Sequence, residues 1–368
     1  MTASVAAHIT PSVLAWAREQ AAVSIAQLAK RTGVSEDRVR AWEAGEVEPT
    51  VAKLRTIADM LKQPMALFFA VTPPARGVQV PPDFRATQVE PGRRLTREVR
   101  LAEERRDIFT RLAPQTVDSS PWATWGQAQS LTPAEVRSRL RLTTEKVAQA
   151  KTDNDALRLW IRAMEDQGIL VFQMSRVKDD GCSGFCVYDR KTPVIVLNGS
   201  ESPLRRIFTL LHELGHLVRH SGGLCALDES VDEERACNRF AENVLLPLRE
   251  VHAAMSGTTG ANAVGAVARR FRVSRVAAAI ALRHRGEVEQ QVVDEIRRSE
   301  EAREHATDHA VRIPPQRLQR RNLGDMYLTT VLDAMDSDTI SVADATYYLG
   351  AKVGMIDKLE RELVGNAQ

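Results

Sequence analysis

Two histidines four residues apart bracket a glutamate in the run His212-Glu213-Leu214-Gly215-His216. Residues four apart share one face of an α-helix, so both imidazoles can address one cation from a rigid support. Glu213, beside the first histidine, would hold its carboxylate over the open side of that cation. A catalytic Zn2+ takes three protein ligands, keeps a position for water and lowers the pKa of that water toward ~7. A carboxylate placed there can take the proton of the water and pass it to a leaving amine. That is the chemistry of a metallopeptidase, and the His-Glu-x-x-His spacing is its mark.

The competing reading is two histidines hydrogen-bonded on a surface helix. The apolar frame weighs against it, because Ile207, Phe208, Leu210 and Leu211 precede the motif and Leu214 and Leu217 continue it, as in a buried helix. Gly215, a poor residue for a helix interior, fits if another backbone or a substrate packs closely there. A third ligand is required. A histidine extension fails, since His216 is followed by Leu217-Val218-Arg219-His220 and then Ser-Gly-Gly. A downstream helix offers Asp232, Glu233 and Glu234. Glu234 is preferred because Asn238 falls on the same face, where it could orient a ligand; Glu233 is the runner-up. His220 reads as an ordinary polar residue.

Positioning these groups takes a mixed fold. The pattern predicts a helix over 155–167 closed by Gly168, short β-rich runs at 169–172, 184–188 and 194–197, a helix over 203–219, and another from about 229 to 246 that stops at Pro247,. Residues 259–286 predict two more short helices. Cys182 and Cys186 have no second pair to make a zinc ribbon and read as ordinary thiols in a strand-turn. Trp122 and Trp125 read as packing residues. Residues 92–113 predict an amphipathic connector helix around Leu95, Val99, Ala102 and Ile108.

Residues 8–70 divide into short helices by their turn signals. Ser24 precedes the apolar positions Ile25, Leu28 and Ala29, Gly33 ends the pattern, Ser35 offers the next cap, and Pro49-Thr50 opens a helix carrying Leu54, Ile57, Ala58 and Leu61,. The stretch 70–83, with Pro73, Pro74, Pro81 and Pro82, reads as a stiff linker,. Residues 1–70 hold eight Lys/Arg against seven Asp/Glu, so a basic footprint is weak and a protein-only or dimerisation role competes with DNA binding.

The whole chain has 368 residues, 43% hydrophobic and 27% charged, with a formal net charge of +2. Two or three globular domains are expected, and any DNA contact must come from a local surface. Four cysteines are too few for a disulfide scaffold. Neither a secretory pattern nor an apolar run of membrane-spanning length is visible, so the cytoplasm is expected and a membrane partner is not.

Taken as a set, His212-Glu213-Leu214-Gly215-His216-Leu217, the stretch from Glu234 through Cys237 and Asn238 to Ala241, and Leu245-Leu246-Pro247 resemble the ImmA/IrrE family of metallopeptidases, as does the strand from Val194 to Asn198. The resemblance covers about 153–290. It implies a gluzincin-like site with His212, His216 and Glu234 on Zn2+ and Glu213 as general base. It also implies a substrate of repressor type, cleaved after stress or during induction of a mobile element. Cys237 departs from the alanine usual in that family and puts a thiol near the metal.

Residues 8–70 resemble a Cro/repressor-type helix-turn-helix of the XRE class, which places Gln27, Ser35, Arg38 and Arg40 at double-stranded DNA. The expected fold is α+β and mainly helical. It comprises a five-helix domain at 8–70, linker and connector helices at 71–152, a zincin-like domain with a small sheet at 153–290, and a helical region at 291–368. Within the zincin-like domain, 259–286 forms a second helix-turn-helix-like unit, read as a platform for substrate or partner. Two functions are carried forward: a peptidase acting on a repressor or antitoxin-like protein, or a DNA-binding regulator or antitoxin, paired with a toxin, whose peptidase fold only binds or senses. Helix-turn-helix proteins often bind as dimers, so a homodimer is a further expectation.

Overall fold

Local capping chemistry sets the helix boundaries of the N-terminal unit. The computed structural model describes residues 6–21, 23–61, 65–69, 93–127, 131–175, 182–219, 231–304 and 313–364, divided between a unit Met1–Arg100 and a unit Leu101–Gln368. In the first, α1 (Pro11–Gln20) starts on a proline whose missing N–H costs nothing there,. Ser24 and Gln27 form a reciprocal capping box at the head of α2 (Ile25–Thr32),. Gly33 leaves that helix in the left-handed region, and Ser35 caps α3 (Glu36–Ala44) through the Arg38 N–H. With α4 (Val51–Leu61) and a 3-10 turn at Met65–Phe69, these helices enclose Leu14, Leu28, Val39, Trp42, Leu54 and Phe68. The turn occupies the place of the expected fifth helix. The proline-rich stretch 70–83 lies outside the described residues.

The connector expected at 92–113 is α5 (Arg93–Leu112), with Leu95, Val99, Ala102, Ile108 and Phe109 buried. In the second unit, α6 (Pro114–Asp118), a 3-10 segment Pro121–Gln127, α7 (Pro133–Leu140), α8 (Thr144–Ala148) and α9 (Asp153–Glu165) lead to the sheet. Trp122 and Trp125 lie within the second unit's core, as expected, their rings 5.4 Å apart.

The sheet has three strands, β1 (Leu170–Met174), β2 (Gly184–Val187) and β3 (Val194–Asn198), in the order β1-β3-β2. β1 runs parallel to β3 and β2 antiparallel to it, with Phe172 and Phe185 both opposite Val196. Every residue of β1 and β3 is buried, which is why their sequences are apolar apart from Gln173 and Asn198 and do not alternate. α10 (Pro203–Arg219) lies against β2 and β3 and packs along α11 (Val231–Leu245). The chain continues through α12 (Leu248–Met255), α13 (Gly260–Phe271), α14 (Arg275–His284) and α15 (Gln290–Glu304), then α16 (Pro315–Leu323), α17 (Asp325–Asp336), α18 (Val342–Leu349) and α19 (Val353–Val364).

Among the described residues at least three further helix pairs repeat the turn of α2–α3, one of them α7–α8, where the left-handed Arg141 is followed two positions on by the capping Thr143. Arg272 and Ser274 stand between α13 and α14 as Gly33 and Ser35 stand between α2 and α3: a left-handed residue, then a capping serine two positions on. In α18–α19 the interval from Ser341 to the left-handed Gly350 equals that from Ser24 to Gly33, and buried Ile356 and Leu359 match buried Val39 and Trp42. The last pair escapes a sequence reading because Lys352 stands where a capping serine would announce the second helix.

The C-terminal helices complete the far side of the sheet. α16 packs along β1, the Asn322 amide donates to Ser175 Oγ at 3.0 Å, and Tyr327 meets Phe172 edge-on at 5.6 Å. The turn between α16 and α17 needs glycine: Gly324 has a φ of 72°, and a Cβ there would lie 2.5 Å from the Val171 carbonyl oxygen and 2.6 Å from Glu165 Oε1,.

Under that turn the Glu165 carboxylate accepts the Met326 N–H at 3.3 Å. Burial pushes its pKa up to about 8, and the nearby Asp325 carboxylate adds to the shift. The folded chain therefore holds a proton that the unfolded chain releases above the ordinary glutamate range. Stability from this group is full below that range and is lost as pH rises toward about 8,. Glu165→Gln keeps the acceptor and removes the titration. Melting curves of the two proteins should lie closest near pH ~5 and diverge in favour of the variant by pH ~9; a gap that does not widen with pH contradicts this.

Candidate metal centre

α10 and α11 face each other across the motif. His212 and His216 project from α10, one turn apart, with their Nε2 atoms 3.0 Å apart. Glu234, in the first turn of α11, brings Oε2 to 3.4 Å from His212 Nε2 and Oε1 to 3.9 Å from His216 Nε2. One ligand atom from each of the three falls within 4.8 Å of the others. Tetrahedral zinc with ligand distances of ~2.0–2.2 Å sets its ligands ~3.3 Å apart, so these separations fit such an ion. Asp232 and Glu233 are not part of the group; Asp232 pairs with Arg235 on its own helix. His220 lies outside the described residues.

The distal ring nitrogens are engaged by the same face of α11. His212 Nδ1 is 3.0 Å from Asn238 Oδ1, and His216 Nδ1 is 3.4 Å from Cys237 Sγ. Assigning the ring proton to Nδ1, as the Asn238 oxygen requires, leaves the lone pairs of both Nε2 atoms facing each other beside a carboxylate. Such a donor set repels itself until a cation enters, and it suits Zn2+. Both imidazoles are held neutral, the form that ligates. Burial pushes His216 down to about 3, with His212 and Arg219 adding to the shift, and burial also lowers His212 against the opposing pull of Glu234,.

Glu213 is buried between α10 and the sheet, 2% exposed. The strand beside it is Gly184 of β2, where a Cβ would lie 2.6 Å from Thr209 Cγ2, 2.9 Å from the Val196 carbonyl oxygen and 3.5 Å from Glu213 Oε1. Sequence reading passed over Gly184. A lone glycine inside a strand is the signal that would have found it, since it marks a close approach by other atoms. Gly215 needs its small size for a reason other than those expected. Its neighbours are side chains rather than backbone: Phe240 Cδ1 and Cys237 Cβ of α11 would stand 3.1 and 3.4 Å from an added Cβ.

In the N-terminal unit, Ser35, Arg38 and Arg40 are exposed and Gln27 is half-buried. Gln27 and Ser35 serve as capping groups for α2 and α3. Arg40 pairs with Asp37 at 2.8 Å and Glu36 at 3.0 Å on its own helix. Arg18 and Glu43 form a doubly hydrogen-bonded pair between α1 and α3, at 2.5 and 3.0 Å, which fixes the angle of α3.

Residues 164–283 match the peptidase M78 family through its IrrE N-terminal-like domain, and residues 14–68 match a helix-turn-helix family. No curated protein matches the chain significantly. The chain thus joins a helix-turn-helix domain to a peptidase-family domain, and the histidine and glutamate group lies inside the second match. No helix among the described residues is long and apolar enough to cross a membrane.

If Asn238 orients His212, Asn238→Ala should weaken zinc binding by ~10–100-fold, the usual effect of removing such a partner. Competition against a chromophoric chelator measures this directly. An unchanged affinity would mean that the Asn238 contact has no bearing on the metal.

Proposed function

We propose that this chain is a zinc-dependent endopeptidase that hydrolyses a peptide bond in a repressor or antitoxin-like regulatory protein, and that its N-terminal domain binds double-stranded DNA. The observation that carries the reading is the convergence of His212, His216 and Glu234 within one ligand sphere beside the buried Glu213. His212 Nε2, His216 Nε2 and the Glu234 carboxylate would hold the ion. Bound there, Zn2+ would polarise a peptide carbonyl and acidify a water. Glu213 would accept the proton of the attacking water and return it to the leaving amine. Asn238 and Cys237 keep the two rings turned so that their Nε2 lone pairs point inward.

The cleft beside this group suits a chain in extended form. It has a volume of about 960 Å3 and is lined by Ser183 and Gly184 as well as by His212, Glu213 and Glu234. Ser183 and Gly184, at the head of β2, share this cleft with the candidate metal group, so an extended peptide laid along it would pass both the strand and the ion. A folded partner would have to offer a loop or an unfolded segment. In the N-terminal domain, α3 would enter the major groove. Its charge is mixed, and Arg38, with no acidic partner among the described residues, is better placed than the ion-paired Arg40 to meet a phosphate or base.

Two measurements test the reading. Glu213→Gln should retain zinc and fold while cleavage of a repressor encoded nearby falls by at least ~10²-fold, as expected for loss of a general base. Undiminished cleavage by that variant would overturn the mechanism, and operator binding with silencing by zinc-free protein would favour a regulator that only borrows the fold. In a salt titration of DNA binding, Arg38→Ala should reduce the slope of log K against log salt by ~1 if it contacts phosphate. Arg40→Ala should change it less, and the reverse order would show that the ion pairs on α3 open on DNA.

A further inference from the structure

The second helix-turn-helix-like pair has a face that a DNA reader would need, and that face is turned to the metal cleft. In the DNA-binding use of this motif, side chains near the start of the second helix reach base edges through donors and acceptors. At the start of α14 the polar groups are already engaged. Ser274 caps the helix through the Ala277 N–H, and Arg275 pairs with Glu300 of α15 at 3.3 Å. The cleft side of the helix beyond them is apolar: Val276, Ala277 and Ile280 line the same cleft as His212, Glu213 and Glu234. Val276 and Ile280 stand four residues apart on one stripe of the helix, half-buried and packed against the edge of the core.

Other elements extend this apolar wall toward the candidate metal group. Phe208, one turn before His212 on α10, stacks on the His212 ring at 6.4 Å between centroids. Leu246, just beyond the end of α11, also lines the cleft. Among the charged groups around the rim, Glu242 pairs with His284 at 3.0 Å and Arg205 with Glu201 at 2.9 Å, and Arg297 also lines the cleft. A ligand side chain that settles against Val276, Ala277 and Ile280 therefore meets hydrocarbon.

We propose that α14 is the specificity wall of the cleft, and that Val276 and Ile280, together with Phe208 and Leu246, form a subsite for a bulky apolar side chain of an extended peptide. The occupant is a peptide because the wall stands on the same cleft as Gly184 of β2 and the candidate zinc group. This inference rests on the peptidase reading of that site and adds the substrate class: segments with leucine, methionine, isoleucine or phenylalanine next to the bond addressed by the metal. Such residues are buried in folded repressors, so recognition would favour exposed linkers or locally opened helices. The helix-turn-helix geometry of α13–α14 serves here to hold α14 rigidly over the cleft.

The test uses full-length Glu213→Gln protein, loaded with zinc, and positional libraries of fluorescein-labelled octapeptides read by anisotropy. One library position should favour bulky apolar residues over alanine and aspartate by ~10-fold or more, the discrimination typical of a hydrophobic pocket. Ile280→Ala in the same background should flatten that preference. Ile280→Arg should shift it toward aspartate and glutamate, with zinc content and melting temperature retained, a gain that loss of folding cannot imitate. The same libraries are then offered to zinc-loaded protein with native Glu213 and scored for cleavage. An apolar preference that moves with residue 280 but comes without cleavage supports the wall and sinks the peptidase reading. Cleavage or binding whose preferences are identical in the native, Ile280→Ala and Ile280→Arg proteins overturns the wall and leaves the peptidase reading standing.

Discussion

The packing of α11 on α10 is the contact on which the candidate site depends. A single face of α11 presents Glu234, Cys237 and Asn238 at helical spacing, so one helix supplies both a carboxylate and the partners that turn the two imidazoles. Gly215 lets that face approach, since Phe240 and Cys237 fill the space a larger residue would take. The fully buried Leu210, Leu211, Leu214 and Leu217 fix the rotation of α10. Each hydrogen bond contributes only about 0.5–1.5 kcal/mol; the orientation comes from the apolar packing behind it. The same desolvation keeps His212 and His216 neutral.

Parts of this arrangement are legible in the sequence because they are local. The two histidines and Glu213 sit on one helix, and a period of 3.6 residues suffices to align them. Helix starts at Ser24 and Ser35 can be read from their caps. Glu234 is a harder case: Asp232 and Glu233 have the same chemistry, and only the rotation of α11 against α10 separates them, with Asn238 as the sole local hint. The direct pairing of β1 with β3, which skips β2 in chain order, carries no turn signature at all, because adjacency in a buried sheet is decided by what packs on its faces,. Gly184 and the cleft-facing side of α14 likewise depend on tertiary neighbours. The C-terminal region is legible only as helical, yet α16 lies along β1 and Tyr327 packs on Phe172.

One local device recurs among the described residues, and three of its instances have different surroundings. The left-handed turn followed by a short second helix joins α2 to α3, α13 to α14 and α18 to α19. In the first, the second helix is exposed and charged. In the second, its Val276, Ala277 and Ile280 face the cleft. In the third, it is held against α16. The turn guarantees only the angle between two helices; the residues on the outer face of the second one decide what that angle is used for. A peptidase-family domain and a helix-turn-helix domain on one chain thus share a structural idiom without sharing a role.

Two imidazoles and one carboxylate sharing a single divalent ion is the condition on which the proposed chemistry stands. X-ray absorption at the zinc edge of the metal-loaded protein examines it most directly. The expected first shell contains nitrogen and oxygen scatterers at ~2.0–2.2 Å, with an imidazole signature corresponding to two histidines. A sulfur scatterer at ~2.3 Å would bring Cys237 into the shell, and a shell of oxygens without imidazole would place the ion elsewhere; either result contradicts the shared site.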